Sequence, residues 1–156
     1  MNKETQNILE AIANDVLTLS HLILEDDSIS MNRKINKNTL RDSQLNKNIK
    51  TQIASLNEPV VIEALFNNYI NFIEWDRPKG HGKQPPIDEL RDWALSRGIP
   101  TDNNTLFAVA KAIQRDGHEG RPIIATLEKE IVESFNKEFY TKLFDSTINE
   151  LTKYFN

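Results

Sequence analysis

The side chains that could perform chemistry in this chain are few and scattered. The 156 residues contain no cysteine, which excludes a thiol nucleophile, a disulfide and a cysteine-ligated zinc site. The three histidines, His21, His81 and His118, lie far apart and form no His-x-x-x-His pair of the kind that binds zinc on one helix face. The Gly-x-Ser-x-Gly pattern of a hydrolase nucleophile is also absent. We therefore expect no catalytic residue, no metal, no cofactor and no enzymatic activity.

Charge is segregated along the chain. The net charge is −4, yet residues 1–30 carry a net −5 and residues 31–50 a net +5. Cationic side chains at that density can neutralise phosphates, so the basic segment supplies candidate DNA-facing residues. These residues are Arg33, Lys34, Lys37, Arg41, Lys47 and Lys50. A solvated loop whose cations balance neighbouring acids is the simpler interpretation, and both remain open here.

Length and composition indicate a single soluble domain. Apolar residues make up 38% of the chain and charged residues 27%, which is typical of a globular protein. No apolar run approaches the roughly 18 residues that span a bilayer, and no signal-peptide pattern is visible at the N-terminus. We expect one domain over residues 1–156 and no membrane partner.

The N-terminal half predicts a helix followed by short strands. Apolar residues recur at helical spacing through residues 1–30, and Asp26 and Asp27 end the pattern. A short helical turn at 39–45 and an extended piece at 48–55 follow. Asn57-Glu58-Pro59 predicts a turn, and the β-branched residues after it predict a strand over Val60–Leu65.

The C-terminal half predicts helices. A short helix beginning at Tyr69 precedes a loop over 76–86, where three prolines exclude regular structure. A last helix runs from about residue 123 to 156 and is roughly 50 Å long, so it either breaks near Thr141–Asp145 or projects to pack on another subunit. The fold class is therefore α+β, with an N-terminal helix, a small antiparallel sheet, two short helices and a long C-terminal helix.

Two short helices are predicted at 88–97 and 102–116. Gly98 and Gly117 end them, and Thr101 or Asp102 caps the second.

These two helices carry the predicted core. Trp93 and Phe107 lie on their apolar faces and should pack together with Ile113. The same pair has a helix-turn-helix outline, so a small DNA-binding regulator using residues 88–116 is the alternative function.

The middle and C-terminal parts of the chain, over roughly residues 38–128, resemble a known family. The segments that carry the resemblance are, in order, Thr39-Leu40-Arg41-Asp42-Ser43, Tyr69-Ile70-Asn71-Phe72-Ile73-Glu74, Arg77-Pro78, Pro85-Pro86-Ile87, Leu90-Arg91-Asp92-Trp93-Ala94, Arg97-Gly98-Ile99, Phe107-Ala108-Val109-Ala110-Lys111-Ala112-Ile113 and Asp116-Gly117-His118-Glu119-Gly120-Arg121-Pro122. The series is similar to the neck and tail-completion proteins of tailed bacteriophages, which are found at the head–tail junction.

The resemblance implies a structural virion protein rather than an enzyme. It implies a homo-oligomeric ring, six- or twelve-fold, whose partners are portal and tail proteins and which can contact packaged DNA without sequence specificity. It places the protein in the virion neck or tail, and in the host cytoplasm during assembly. In a ring, one patch on each subunit contacts a different patch on the next subunit. The segments quoted above supply the candidate residues for a loop or a subunit interface. These candidates are Tyr69, Phe72, Glu74, Arg77, Pro78, Pro85, Pro86, Arg121 and Pro122.

Overall fold

The computed structural model describes residues 3–56, 59–80 and 82–155. Asn57 and Glu58 of the predicted turn, and His81, lie outside the described residues. The chain divides into two compact units. Unit 1 comprises Met1–Leu22, Ile49–Leu65 and Ala125–Asn156, and unit 2 comprises Ile23–Asn48 and Phe66–Ile124. Each unit combines separated stretches, so no single boundary divides the chain, and the expectation of one domain over residues 1–156 stays a prediction.

Helices dominate both units, and the α+β class predicted from sequence is confirmed. The helices are α1 (Lys3–Glu25), α2 (Asp27–Ser30), α3 (Gln44–Asn48), α4 (Ile70–Glu74), α5 (Ile87–Ser96), α6 (Asn103–Asp116), α7 (Ile123–Ser134) and α8 (Tyr140–Phe155), with a π-helical segment (Phe135–Phe139) joining the last two. The strands are β1 (Met31–Asn32), β2 (Lys37–Asn38), β3 (Lys50–Ser55) and β4 (Val61–Leu65). They form two separate antiparallel pairs, β1 with β2 and β3 with β4.

In unit 1, α1 buries one apolar stripe, as the spacing predicted. Leu9, Ile12, Ala13 and Val16 are each at most 6% exposed. By length and composition alone α1 could also cross a membrane, since its mean hydropathy reaches 1.2, and 39% of that stretch is buried. A stripe of buried residues on one side is typical of a helix that packs on a protein core.

The strand pair of unit 1 follows the predicted ranges closely. Lys50 pairs with Leu65 and Ile53 with Ile62, and an irregularity in register follows between Ile53 and Ser55.

The short helix predicted at 39–45 lies later, at Gln44–Asn48. Residues 40–43 form a turn instead, which is closed by a bond of 3.1 Å from Ser43 N to Leu40 O.

The core of unit 2 lies between α4, α5 and α6. Phe72, Leu90, Ala94, Leu106 and Ala110 form its buried cluster. Each of the two facing helices places residues four apart against the other, and small alanines allow close packing of the two backbones.

Three aromatic and aliphatic residues predicted as core differ in their placement. Trp93 and Ile113 are partly buried and pack against the cluster. Phe107 is 44% exposed, so the prediction that it is a core residue was wrong. The reason is helical phase: Leu106 and Ala110 occupy the inward face of α6, and the next residue projects about 100° away.

The predicted helix ends are largely confirmed. Asp102 caps α6, since its Oδ1 accepts a bond of 2.9 Å from Thr105 N. Gly98 and Gly117 follow α5 and α6 with φ of 66° and 71°. The long C-terminal helix does not break near Thr141–Asp145; its irregularity is the π-helical segment instead.

Candidate self-association surface

In unit 1, the C-terminal helix α8 packs through one face and presents large apolar side chains on the opposite face. Ser146 on one face is 2% exposed, as is Phe139 just before the helix begins. The other face presents large apolar side chains that are each 44–57% exposed. These residues are Tyr140, Phe144, Ile148 and Leu151, and we call them the α8 stripe. About half of each of these four side chains is left uncovered by the described part of unit 1, and a contiguous exposed apolar series of this kind marks an interaction surface.

Aromatic side chains extend the α8 stripe towards the π-helical segment. The rings of Tyr140 and Phe144 stack with centroids 6.1 Å apart, and Phe135 lies 6.4 Å from Tyr140. Aromatic pairs at such separations contribute about 0.5–1.5 kcal/mol beyond the area they bury. The three rings therefore form one continuous aromatic surface.

The borders of the α8 stripe are largely uncharged. Thr147 and Thr152 flank it, and their hydroxyls donate to Leu143 O and Ile148 O, at 2.9 and 2.8 Å. Because these hydroxyls are already paired within the helix, burying them against a partner leaves no unpaired donor.

The opposite face of α8 is held on α1 by polar contacts. Lys142 Nζ lies 4.0 Å from Asp15 Oδ2, and Lys153 Nζ lies 3.1 Å from Glu4 Oε2. The side chains are all more than two-fifths exposed, so each pair contributes little to stability. Both lysines lie on the same face of α8 as the buried Ser146, which is therefore the face towards α1.

An apolar groove adjoins this packed face. Its volume is about 400 Å³, and its walls come from α1, β4 and the C-terminal helix. It is lined by Leu9, Ile12, Val16, Val60, Ile62, Ala64, Ile131, Phe135, Phe139 and Leu143. Every lining residue is apolar, so the groove adds apolar surface next to the packed face.

Exposed apolar side chains are concentrated in unit 1. Among the described residues, ten of the fourteen large exposed hydrophobic side chains belong to it. Unit 2 contributes Ile35, Trp75, Leu95 and Phe107, which are scattered over its elements. Single exposed hydrophobic residues are ordinary, whereas a contiguous series marks an interaction surface.

Several of the interface candidates predicted from sequence lie inside unit 2. Tyr69 is 2%, Phe72 6% and Arg121 8% exposed, and Pro85 is also buried. They are unavailable to another subunit in this structure, because packing within the unit already covers them. Glu74 and Arg77 are half-buried, and the remaining candidates, Pro78, Pro86 and Pro122, are exposed.

The half-buried candidates join the loop after α4 to the segment before α7. Glu74 Oε2 accepts a bond of 2.8 Å from Ile124 N, and Asp76 Oδ1 one of 2.6 Å from Gly120 N. Arg77 and His118 form a two-bond antiparallel bridge, with N–O distances of 2.7 and 2.9 Å. These residues are structural ties within unit 2.

The predicted DNA-facing cations are partly engaged within unit 2. Arg33 binds Glu119 at 3.2 Å and Arg41 binds Asp27 at 3.0 Å. Lys34 Nζ donates to the carbonyl oxygens of Asp116 and Gly117, at 3.2 and 3.1 Å. Lys37 and Lys47 are exposed on unit 2, and Lys50 is exposed on β3 of unit 1. The six cations are thus divided between two units, and three already have partners.

The basic residues of α6, the recognition helix of the alternative function, are also engaged. Lys111 Nζ lies 5.0 Å from the centroid of the Phe107 ring. Arg115 forms two bonds to Asp116, at 2.7 and 2.8 Å. The cations of this helix are thus in contact with residues of the same helix.

Sequence reasoning missed Tyr140 and Phe144, the aromatic centre of the α8 stripe. The signal was present as a second apolar series, at 140, 144, 148 and 151, beside the one that packs inward.

Among the described residues no cluster of three or more His, Asp or Glu side chains could hold a metal ion. Comparisons with protein-family models, curated proteins and solved structures give no match to this chain.

Proposed function

We propose that this protein is a structural protein of a tailed-bacteriophage virion, which self-associates as a ring at the head–tail junction. The observation that carries the proposal is the α8 stripe, an apolar face opposite the packed face of the same helix. Its work is geometric: one copy positions the next around the DNA channel, and no reaction is performed.

A second copy is the occupant that the α8 stripe fits best. A fully exposed aromatic side chain offers about 150–250 Å², so half-exposed aromatic and aliphatic residues together offer on the order of 500 Å² per copy. A stable interface buries about 800 Å² per partner, including its polar rim. The stripe and its threonine borders therefore supply most of what one subunit contact needs.

The phage assignment rests on the resemblance of residues 38–128 to neck and tail-completion proteins. The structure is compatible with it in one respect: helix α5, helix α6 and the Gly-His-Glu-Gly-Arg-Pro segment form one tied unit. Self-association through α8, which lies outside that unit, leaves α5, α6 and this segment unchanged. Subunits that associate through such a contact can close into a ring.

The first experiment measures the oligomeric state of the purified chain by sedimentation and native mass spectrometry, with negative-stain imaging for closed rings. We expect association of the wild-type chain into a single stoichiometry. Phe144→Asp places a charge in the centre of the α8 stripe and should weaken association by about tenfold or more, since an unpaired buried charge is costly.

The matched control is Leu95→Asp, which makes the same type of change at a 70% exposed position of α5 in unit 2. It should associate as the wild type does. A wild-type chain that stays monomeric at every concentration contradicts the proposal. So does equal association of both variants.

A further inference from the structure

Unit 2 contains a buried cation without an acidic partner among the described residues. Arg121 is 8% exposed, and its Nη1 donates to two neutral acceptors, Ser30 O at 3.1 Å and Thr39 Oγ1 at 2.9 Å. Buried charges in proteins are normally paired with an opposite charge. The pKa of Arg121 is lowered to about 10, first by burial and then by the positive charge of Arg97.

The groups around Arg121 are also positive. His118 has its pKa lowered by burial first, and then by the charges of Arg121, Arg77 and Lys34. Its Nε2 is buried and has no hydrogen-bond partner in the described structure. Lys34 has an acidic neighbour of its own in Asp116, whereas Arg121 and Arg97 repel each other beside an orphaned imidazole nitrogen. Like charges held close together favour the binding of an anion between them.

A cavity lies against these groups. Its volume is about 210 Å³, which is below the roughly 300 Å³ of pockets for drug-sized molecules. Its lining includes Arg97, Arg121 and His118, together with the polar side chains of Tyr69 and Ser96. The dimensions fit a small ion rather than a nucleotide.

We propose that this cavity binds a small oxyanion, a phosphate or a carboxylate, held by the guanidinium groups of Arg97 and Arg121. Planar guanidinium groups match the paired oxygens of both anions. The indole of Trp93, whose ring centroid lies 5.9 Å from Arg97 Cζ, holds that guanidinium at the cavity wall. The site is independent of the α8 stripe, which belongs to unit 1.

The test is a calorimetric titration of the full chain with inorganic phosphate, and separately with acetate, at constant ionic strength set with chloride. Arg97→Gln removes the exposed cation of the site without touching the bonds to Ser30 and Thr39. We expect it to weaken binding by about tenfold, the scale of a charge-assisted hydrogen bond. Arg115→Gln is the charge-matched control in the same unit and should bind as the wild type does.

A second readout is the imidazole NMR signal of His118 in the wild-type chain. It should shift with phosphate or acetate along the same saturation curve, whereas the signal of His21, in unit 1, should not. If only one of the two anions binds saturably, that result supports the proposal and identifies whether the ligand is a phosphate or a carboxylate. No saturable binding of either anion overturns the proposal, and so does an equal loss in Arg97→Gln and Arg115→Gln.

Discussion

Two glycines bring the segment before α7 against the loop that follows α4. A Cβ atom at Gly120 would lie 2.5 Å from Glu74 O and 2.7 Å from Asp76 N, and one at Gly117 would lie 2.9 Å from Arg77 O. Backbone atoms at these distances cannot move aside as a flexible side chain could. Gly117 was predicted as a helix end from its local position, whereas the role of Gly120 depends on residues more than forty positions away.

His118 makes the stability of unit 2 depend on pH. Burial lowers its pKa below the 6.5 of an unfolded chain, and no acid offsets this. The unfolded state therefore binds more protons than the folded state as pH falls below 6.5, so the free energy of unfolding should decrease there. Urea unfolding of the wild-type chain, measured from about pH 8 to about pH 5, should show this loss.

The control for this prediction is His118→Gln, which keeps a polar side chain but cannot titrate. It should be less stable than the wild type at high pH, because the stacking of His118 on Phe72, with centroids 4.7 Å apart, is lost. Its free energy of unfolding should fall less steeply below pH 6.5. Parallel curves for the two proteins would exclude His118 as the source of the pH dependence.

At the scale of elements, capping residues and glycines predicted where helices begin and end. Periodicity predicted less well which face of a helix points inward. The stops at Gly98 and Gly117 and the cap at Asp102 depend on neighbouring residues, so the sequence displays them directly. The inward face of α6 was misjudged at Phe107, because apolar residues at both 106 and 107 fit a helical stripe. Only packing against Leu90 and Ala94 decides between them.

The π-helical segment has a cause that the sequence contains. Leu127, Ile131, Phe135, Phe139 and Leu143 recur at intervals of four, whereas an α-helix completes a turn every 3.6 residues. Strict four-residue spacing drifts around an α-helix, and one extra residue in a π turn restores the phase. The helix continues through 141–145, so the alternative that it breaks there was wrong.

Deleting Asn136, an exposed residue of the π-helical segment, should leave the helix intact. The segment can then become a regular α-helix, with Leu127 and Ile131 still on the same face as Phe139. We expect the free energy of unfolding to change by no more than about 1 kcal/mol, the scale of one hydrogen bond. Urea unfolding followed by far-ultraviolet circular dichroism measures it.

Deleting Lys142, beyond the π-helical segment, is the matched control. It rotates Leu143 and Ser146 by about 100° relative to Phe139, so either Phe139 or the residues after it must leave the packed face. The cost should be about 3–5 kcal/mol, that of removing a buried aromatic side chain. Equal effects of the two deletions would contradict the phase argument.

For the whole molecule, chain order and compact units do not coincide. Unit 1 takes residues from both ends and from the β3–β4 hairpin, while unit 2 holds all eight segments on which the resemblance to neck proteins was based. Composition averages over the chain, so it indicates a globular protein but cannot show which separated stretches pack together. The resemblance likewise directed the interface prediction to unit 2, whereas the exposed apolar surface lies mainly in unit 1.

A chain shortened to end at Ile124 should disrupt unit 1 and leave unit 2 folded. It lacks the C-terminal helix that covers Leu9, Ile12 and Val16, so residues 1–22 and 49–65 should become sensitive to protease. Unit 2 keeps its own core, and both tryptophans, Trp75 and Trp93, belong to it. Their fluorescence should therefore match that of the full chain and show its own cooperative unfolding in urea.

If the emission of the shortened chain equals that of the urea-unfolded protein instead, unit 2 depends on unit 1 for its fold. The full chain unfolded in the same buffer is the control, because it calibrates both limits of the emission.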